Sequence, residues 1–110
     1  MTRIKVDPED ALAHDLDELD VVYVRQAAYA KGRKFKADFL IAHNGQGVLV
    51  EVQGGVYDGR AHGSISGILK DIERLNLATL NGYMMLRFTP EQVEDGTAKA
   101  QITKLLGVKG

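Results

Sequence analysis

Residues Phe35 to Gln53 read FKADFLIAHNGQGVLVEVQ and contain the strongest structural signal of the chain. Two apolar runs of strand length flank the pair Asn44-Gly45, and both of these residues tolerate the positive φ angles of a type I′ turn. The segment therefore predicts a β-hairpin whose strands cover about residues 35–42 and 47–53.

The register of this hairpin brings two carboxylates together. A turn centred between Asn44 and Gly45 makes Asp38 the direct cross-strand neighbour of Glu51, and the Cβ atoms of such a pair lie roughly 4.5–5.5 Å apart. Because side chains alternate along a strand, Gln53 shares a face with Glu51. We therefore expect Asp38, Glu51 and Gln53 to converge on one point.

Two opposed carboxylates in an apolar sheet indicate a bound cation. Burying them without partners would cost several kcal/mol per ion. Oxygen ligands suit Mg²⁺ or Mn²⁺ better than zinc, and such an ion can activate water for attack on a phosphodiester. The alternative is that Asp38 and Glu51 are solvated on an exposed face, but the apolar neighbours Phe39, Leu49 and Val50 favour strands that are covered on both sides.

The rest of the chain predicts alternating helices and strands. A helix begins at the N-cap Asp7, and a strand follows at about residues 21–29. After the hairpin come a helix at about 64–80, a strand at 83–88 and two short helices, the first opened by a Thr89 capping box. The longer helix carries an apolar stripe that consists of Ile65, Ile68, Leu69, Ile72, Leu75 and Thr79. The order α-β-β-β-α-β-α-α predicts an α/β fold, a mixed β-sheet flanked by helices.

Composition limits the class of protein. The 110 residues are 45% apolar, which suits a single domain over residues 1–110. The net charge of −1 and the pI of about 6.3 provide no strong positive field, so contact with nucleic acid must come from local basic clusters. The chain contains no cysteine, which excludes disulfides and thiolate zinc sites. No apolar stretch has the length of a signal peptide or a membrane span, so we expect a cytoplasmic protein with no membrane partner.

Several motifs resemble a known nuclease family. Asp38 followed by VEVQGG at residues 50–55 resembles the PD-(D/E)xK motif, with glutamine in place of the lysine. Further stretches are GGVY at 54–57, His62, KD at 70–71, LN at 75–76 and GYMMLRFT at 82–89. Together they are similar to small phage and bacterial endonucleases related to the VRR-NUC and very-short-patch-repair groups, over nearly the whole chain. The resemblance implies a restriction-endonuclease-like core.

The resemblance also implies roles for single residues. Asp38 and Glu51 would bind Mg²⁺ or Mn²⁺, and Gln53 would be a further ligand or would position water. Glu9 on the first helix would provide a third carboxylate directed toward the metal. Stabilisation of the helix N-terminus by a negative charge explains an acidic residue at this position almost as well. Lys70 would supply the charge of the missing lysine, with a solvated surface residue as the equal alternative.

The resemblance raises a loop histidine and a set of basic residues to site candidates. His62 would act as a general acid, a phosphate contact or a water-positioning group, although a lone loop histidine is more often merely exposed. The residues expected to contact DNA phosphates are Lys31, Arg33, Lys34, Lys36, Arg60 and Arg74. Basic turns are usually just solvated, but here the cluster directly precedes Asp38.

The function that follows is metal-dependent hydrolysis of DNA phosphodiester bonds, with branched or structured DNA as the substrate by analogy. A chain this small offers little surface to grip a duplex, so we expect a homodimer. Replacement of the motif lysine by Gln53 keeps open two alternatives, a weak or inactive nucleic-acid-binding module and an assembly subunit of the same fold.

Overall fold

The computed structural model describes residues 6–53 and 65–109. The elements in chain order are α1 (Pro8–Glu18), β1 (Val22–Ala28), β2 (Lys36–His43), β3 (Gln46–Val52), α2 (Ile65–Leu80), β4 (Met84–Phe88), α3 (Pro90–Glu94) and α4 (Thr97–Leu106). The predicted element order is confirmed. Among the described helices, none has the length and apolar character needed to cross a membrane.

The strands form one mixed sheet in the order β1-β2-β3-β4. The first three strands are an antiparallel meander, whereas β4 runs parallel to β3. This parallel pair requires a crossover, and α2 lies within it. The predicted α/β class with a mixed sheet is therefore confirmed.

The hairpin forms in the predicted register. Asn44 and Gly45 adopt φ angles of 51° and 77°, as a type I′ turn requires. His43 pairs with Gln46, and the ladder continues to the pair of Phe39 and Val50. The Asn-Gly signal thus fixed both the turn and the alignment of β2 with β3.

One face of the sheet packs against α1, α3 and α4. The Asp7 side chain caps α1 by accepting a hydrogen bond from the Glu9 amide at 2.8 Å, and the Thr89 capping box begins α3. The largest fully buried side chains of this core are Leu12, Leu16, Phe39, Ile41, Val48, Val50 and Ile102. This face contains the larger apolar core of the protein.

The other face packs against α2 in an unexpected orientation. A smaller core contains Tyr29, Ala30, Ala37, Leu49 and Ala78. Ala78 is the only described residue of α2 that is buried. The apolar stripe that begins at Ile65 is exposed and points away from the sheet. An amphipathic helix ordinarily buries its apolar stripe. Here the buried charge of Glu51 lies beneath α2, and the helix presents polar and small side chains to it instead.

Candidate active site

Asp38 and Glu51 lie close together where β2 and β3 end their pairing. Glu51 is buried, with 4% of its surface exposed. The last ladder pair joins Phe39 to Val50, so the next step of the register places Asp38 opposite Glu51. Beyond the last ladder pair, the Asp38 side chain contacts the backbone of β3, because its Oδ2 accepts the amide hydrogen of Val52 at 2.7 Å.

The ladder on the other side of Asp38 is also interrupted. Arg25 and Ala27 of β1 pair with Phe39 and Ala37 of β2 in regular antiparallel register. Gln26 between them has a φ of 52°, which is strained for a residue with a Cβ. The side-chain nitrogen Nε2 of Gln26 donates to Asp38 Oδ1 at 3.4 Å and to Glu9 Oε1 at 3.0 Å. The irregular backbone thus connects the carboxylates of Glu9 and Asp38 through one side chain.

Glu9 is held mainly by an arginine of β1. The Arg25 guanidinium binds Glu9 through Nε at 3.1 Å and also through Nη2, and Nη2 donates to Asp10 at 2.7 Å. These bonds, above all the one that Arg25 donates to Glu9 and then the one to Asp10, raise the pKa of Arg25. Glu9 therefore reaches the neighbourhood of Asp38 with its own charge already paired.

Two arginines compensate the buried charge of Glu51. Arg74 of α2 donates through Nη2 to Oε2, and Arg87 of β4 donates through Nε to Oε1 at 3.1 Å. Arg87 is the direct neighbour of Glu51 in the parallel register, and its Nη1 binds Asp71 Oδ2 at 3.1 Å. We call Asp71, Glu51, Arg74 and Arg87 the ionic cluster.

Burial dominates the electrostatics of Glu51. Loss of water raises the pKa of its carboxyl above the ordinary value of 4.5, the charges of Arg74 and Arg87 pull it down, and the nearby charge of Asp38 raises it again. The net effect is a raised pKa. For Arg74, burial lowers the pKa, but the hydrogen bond to Tyr29 and the charge of Glu51 outweigh it, so the pKa is raised.

The basic turn at residues 31–36 is joined to the ionic cluster through aromatic rings. Phe35 stacks on Tyr29 with ring centroids 6.4 Å apart, and the guanidiniums of Arg33 and Arg74 lie 5.0 Å and 5.5 Å from the Phe35 centroid. Arg74 also donates through Nε to the Tyr29 hydroxyl at 3.1 Å and through Nη2 to the Lys36 carbonyl at 3.4 Å. Arg74 therefore connects the basic turn to Glu51.

The other predicted site residues have different positions. The backbone amide of Gln53 donates to the Phe88 carbonyl at 2.8 Å, and its side chain is half-buried at the end of β3. Lys70 is exposed on α2, and the cations that reach Glu51 are instead Arg74 and Arg87. Arg60 and His62 lie outside the described residues. The basic residues of the turn are exposed, namely Lys31, Arg33, Lys34 and Lys36.

The atoms of Asp38 and Glu51 that could coordinate a metal ion are carboxylate oxygens, which Mg²⁺ and Mn²⁺ prefer as ligands. Within residues 6–53 and 65–109, no three histidine, aspartate or glutamate side chains come close enough together to hold a metal ion. An ion here would use the two carboxylates together with backbone or amide oxygens and water.

Three residues of the site were not predicted from the sequence, namely Gln26, Tyr29 and Arg87. A lone arginine inside the apolar strand MMLRF is a signal that could have pointed to Arg87, because a charge in a covered strand needs a buried partner. The sequence contains no comparable signal for Gln26, whose role depends on a backbone conformation that glutamine seldom adopts.

No protein-family model, characterised protein or solved structure matches this chain. The resemblance to PD-(D/E)xK nucleases therefore stays an expectation from the motifs, and the functional argument depends on the geometry of the site.

Proposed function

We propose that this protein is a divalent-metal-dependent nuclease that hydrolyses DNA phosphodiester bonds in the cytoplasm. One observation carries the proposal. Glu51, buried and next to Asp38, is joined through Arg74 to an exposed basic turn. Paired carboxylates beside a basic surface suit a polyanionic substrate whose phosphates must approach a metal ion.

The two carboxylates are the proposed metal ligands, with Mg²⁺ or Mn²⁺ as the ion and Gln53 as a further oxygen ligand or water-positioning group. Such an ion lowers the pKa of bound water and stabilises charge on the phosphate. Burial raises the pKa of Glu51, and an ion in this position would take over from Arg74 the compensation of the buried carboxylate. Arg74 must turn away from Glu51 for an ion to reach Oε2, and its guanidinium is then available for a substrate phosphate.

The substrate contacts come from the basic turn in this proposal. Its four cations are exposed, and Arg33 among them contacts Phe35 and Glu73 on the side of the sheet covered by α2. Contacts to phosphates position the DNA backbone without reading the base sequence, which agrees with branched or structured DNA as the substrate class. The expected homodimer is also part of this proposal, and its contact surface is argued in the next subsection.

A second candidate is a nucleic-acid-binding or assembly module of the same fold without catalysis. It is favoured by the pairing of both Glu51 carboxylate oxygens with arginines, which satisfies the buried charge without any metal. In this case the ionic cluster would only hold α2 against the sheet.

Cleavage assays test the nuclease proposal. The protein is incubated with linear, nicked, single-stranded and four-way-junction DNA in Mg²⁺ or Mn²⁺. We expect metal-dependent cutting that falls by on the order of 100-fold or more in Asp38→Asn and Glu51→Gln, because each removes a proposed metal ligand. Gln53→Lys should cut faster if the missing lysine limits the site.

Glu91→Gln is the matched control, because it removes an exposed carboxylate from α3 on the opposite face of the sheet. It should cut like the wild type. Equal cutting by the wild type and the Asp38 and Glu51 variants, or no cutting by folded wild type, would contradict the nuclease proposal.

Calorimetry with Mn²⁺ separates the two candidates. A nuclease site should bind the ion, lose binding in Asp38→Asn, and bind more tightly in Arg74→Ala, because the guanidinium no longer competes for Glu51. DNA binding without any metal binding would favour the non-catalytic module.

A further inference from the structure

We propose that two copies of this chain associate through α2, packed antiparallel along its exposed apolar residues. We call these residues the α2 stripe: Ile65, Ile68, Leu69, Ile72 and Leu75. The proposal does not depend on nuclease activity, and a failure to cut DNA would leave it standing.

The α2 stripe is exposed along its whole length. The exposed fractions are 78% for Ile65, 50% for Ile68, 61% for Leu69, 49% for Ile72 and 42% for Leu75. Single exposed apolar residues are ordinary, but five on one side of one helix form a continuous patch on the order of 500 Å², near the upper end for a monomer. Patches of this size commonly mark a contact with another protein.

A groove runs along the same side of α2. It has a volume of about 210 Å³ and is lined by Gly67, Ile68, Asp71, Ile72 and Leu75. The charged member, Asp71, already binds Arg87 of its own chain. Along the described residues that line the groove, a partner therefore meets apolar side chains and one carboxylate whose charge is already paired.

A second copy fits this surface because the stripe is self-complementary. Residues 65, 68, 72 and 75 are separated by three, four and three positions, a spacing that is the same when read in either direction. In an antiparallel pair related by a twofold axis, Ile68 of each copy faces Ile72 of the other, and Ile65 faces Leu75. This is the isologous contact of a C2 dimer, with heptad-like positions on both sides.

The area agrees with a specific dimer. Joining two patches would bury on the order of 1,000 Å² from both copies, the lower limit for a specific interface, before polar residues at the rim are included. Asp71 belongs both to the groove and to the ionic cluster, so the contact would lie beside Glu51.

Sedimentation equilibrium of the full chain tests the proposal. Wild type should be a dimer, and Ile68→Glu and Ile72→Lys should each weaken association by on the order of 100-fold, because the twofold axis introduces every charge twice. Leu80→Glu is the matched control: Leu80 is 81% exposed on the same helix but outside the α2 stripe, and its substitution should leave the dimer intact. Circular dichroism confirms that each variant is folded.

Mixing the variants tests the antiparallel arrangement. Ile68→Glu and Ile72→Lys chains should form a heterodimer when combined, because Glu at 68 of one copy then faces Lys at 72 of the other. A mixture that stays monomeric overturns the antiparallel pairing.

Two other outcomes overturn the proposal as a whole. One is a wild type that is monomeric at every concentration, as expected if residues 54–64 or a different protein cover the α2 stripe. The other is a dimer that survives Ile68→Glu and Ile72→Lys unchanged, which would place the contact elsewhere.

Discussion

The two faces of the sheet are built by different physical means. On the face covered by α1, α3 and α4, aliphatic and aromatic side chains such as Leu16 and Phe39 are fully buried. On the face covered by α2, the core is small, and Glu51, Arg74 and Arg87 meet in an ionic cluster. Burial of apolar surface stabilises the first face. On the second face, the cost of removing charged groups from water offsets much of the stabilisation that burial provides.

The proposed activity lies on the side of the sheet that retains charge. Ion pairs between buried groups stabilise little compared with apolar packing, and we assign the charge retained under α2 to the proposed chemistry. The same helix leaves its apolar stripe exposed. The α2 side is therefore the side on which we place both the proposed chemistry and the proposed partner.

The largest expected effect is on the apolar face. Phe39→Ala should lower the free energy of unfolding by about 3–5 kcal/mol, because it leaves a cavity in a fully buried core. Val24→Ala is the control on the same sheet, since Val24 is 54% exposed, and it should change stability by about 0.5 kcal/mol or less. Urea unfolding measures both. Similar losses in the two variants would mean that this face does not hold the main core.

A smaller effect should appear within the ionic cluster. A double-mutant cycle of Glu51→Ala and Arg74→Ala should give a coupling energy of about 1–3 kcal/mol, because the two groups are largely shielded from water. The exposed pair of Glu73 and Arg33, 2.5 Å apart and more than two fifths exposed, should give less than about 1 kcal/mol. Equal coupling in both cycles would remove the distinction between the two pairs.

The smallest effect is a change in pH dependence. Because burial raises the pKa of Glu51, the folded state binds its proton more tightly than the unfolded state does. The stability that the protonated Glu51 carboxyl contributes is therefore fully present at pH values below its ordinary pKa of 4.5. It is lost as the pH rises through the raised pKa of the folded state. Relative to Glu51→Gln, which cannot ionise, wild type should lose stability over that interval.

Urea unfolding of wild type and Glu51→Gln at a series of pH values measures this difference. A wild type that instead gains stability relative to the variant as pH rises would show that Arg74 and Arg87 outweigh burial. The apolar face offers the comparison: Phe39 has no titratable group, so the stability difference between wild type and Phe39→Ala should not change with pH.

Local sequence signals predicted the elements well because their causes are local. Asp7 begins α1, Thr89 begins α3, and Asn44-Gly45 forms the hairpin turn, each through bonds or backbone angles within a few residues. The hairpin register follows from the turn, and with it the position of Asp38 relative to Glu51. This much of the candidate site could be predicted from the sequence.

The partners of Glu51 could not be predicted in this way. The apolar strands predicted a metal ion as the partner of the buried charge, whereas Arg74 and Arg87 bind Glu51 from positions 23 and 36 residues away along the chain. Which cation reaches a carboxylate depends on the packing of α2 and on the pairing of β4. Neither follows from local patterns.

The helices, the strands, the hairpin register and the amphipathic character of α2 follow from local sequence, because hydrogen bonding and side-chain periodicity act over a few residues. The side of α2 that meets the sheet depends instead on contacts between segments distant in the chain. The need to neutralise Glu51 is satisfied by Arg74 on one side of that helix, and the apolar stripe is left exposed on another.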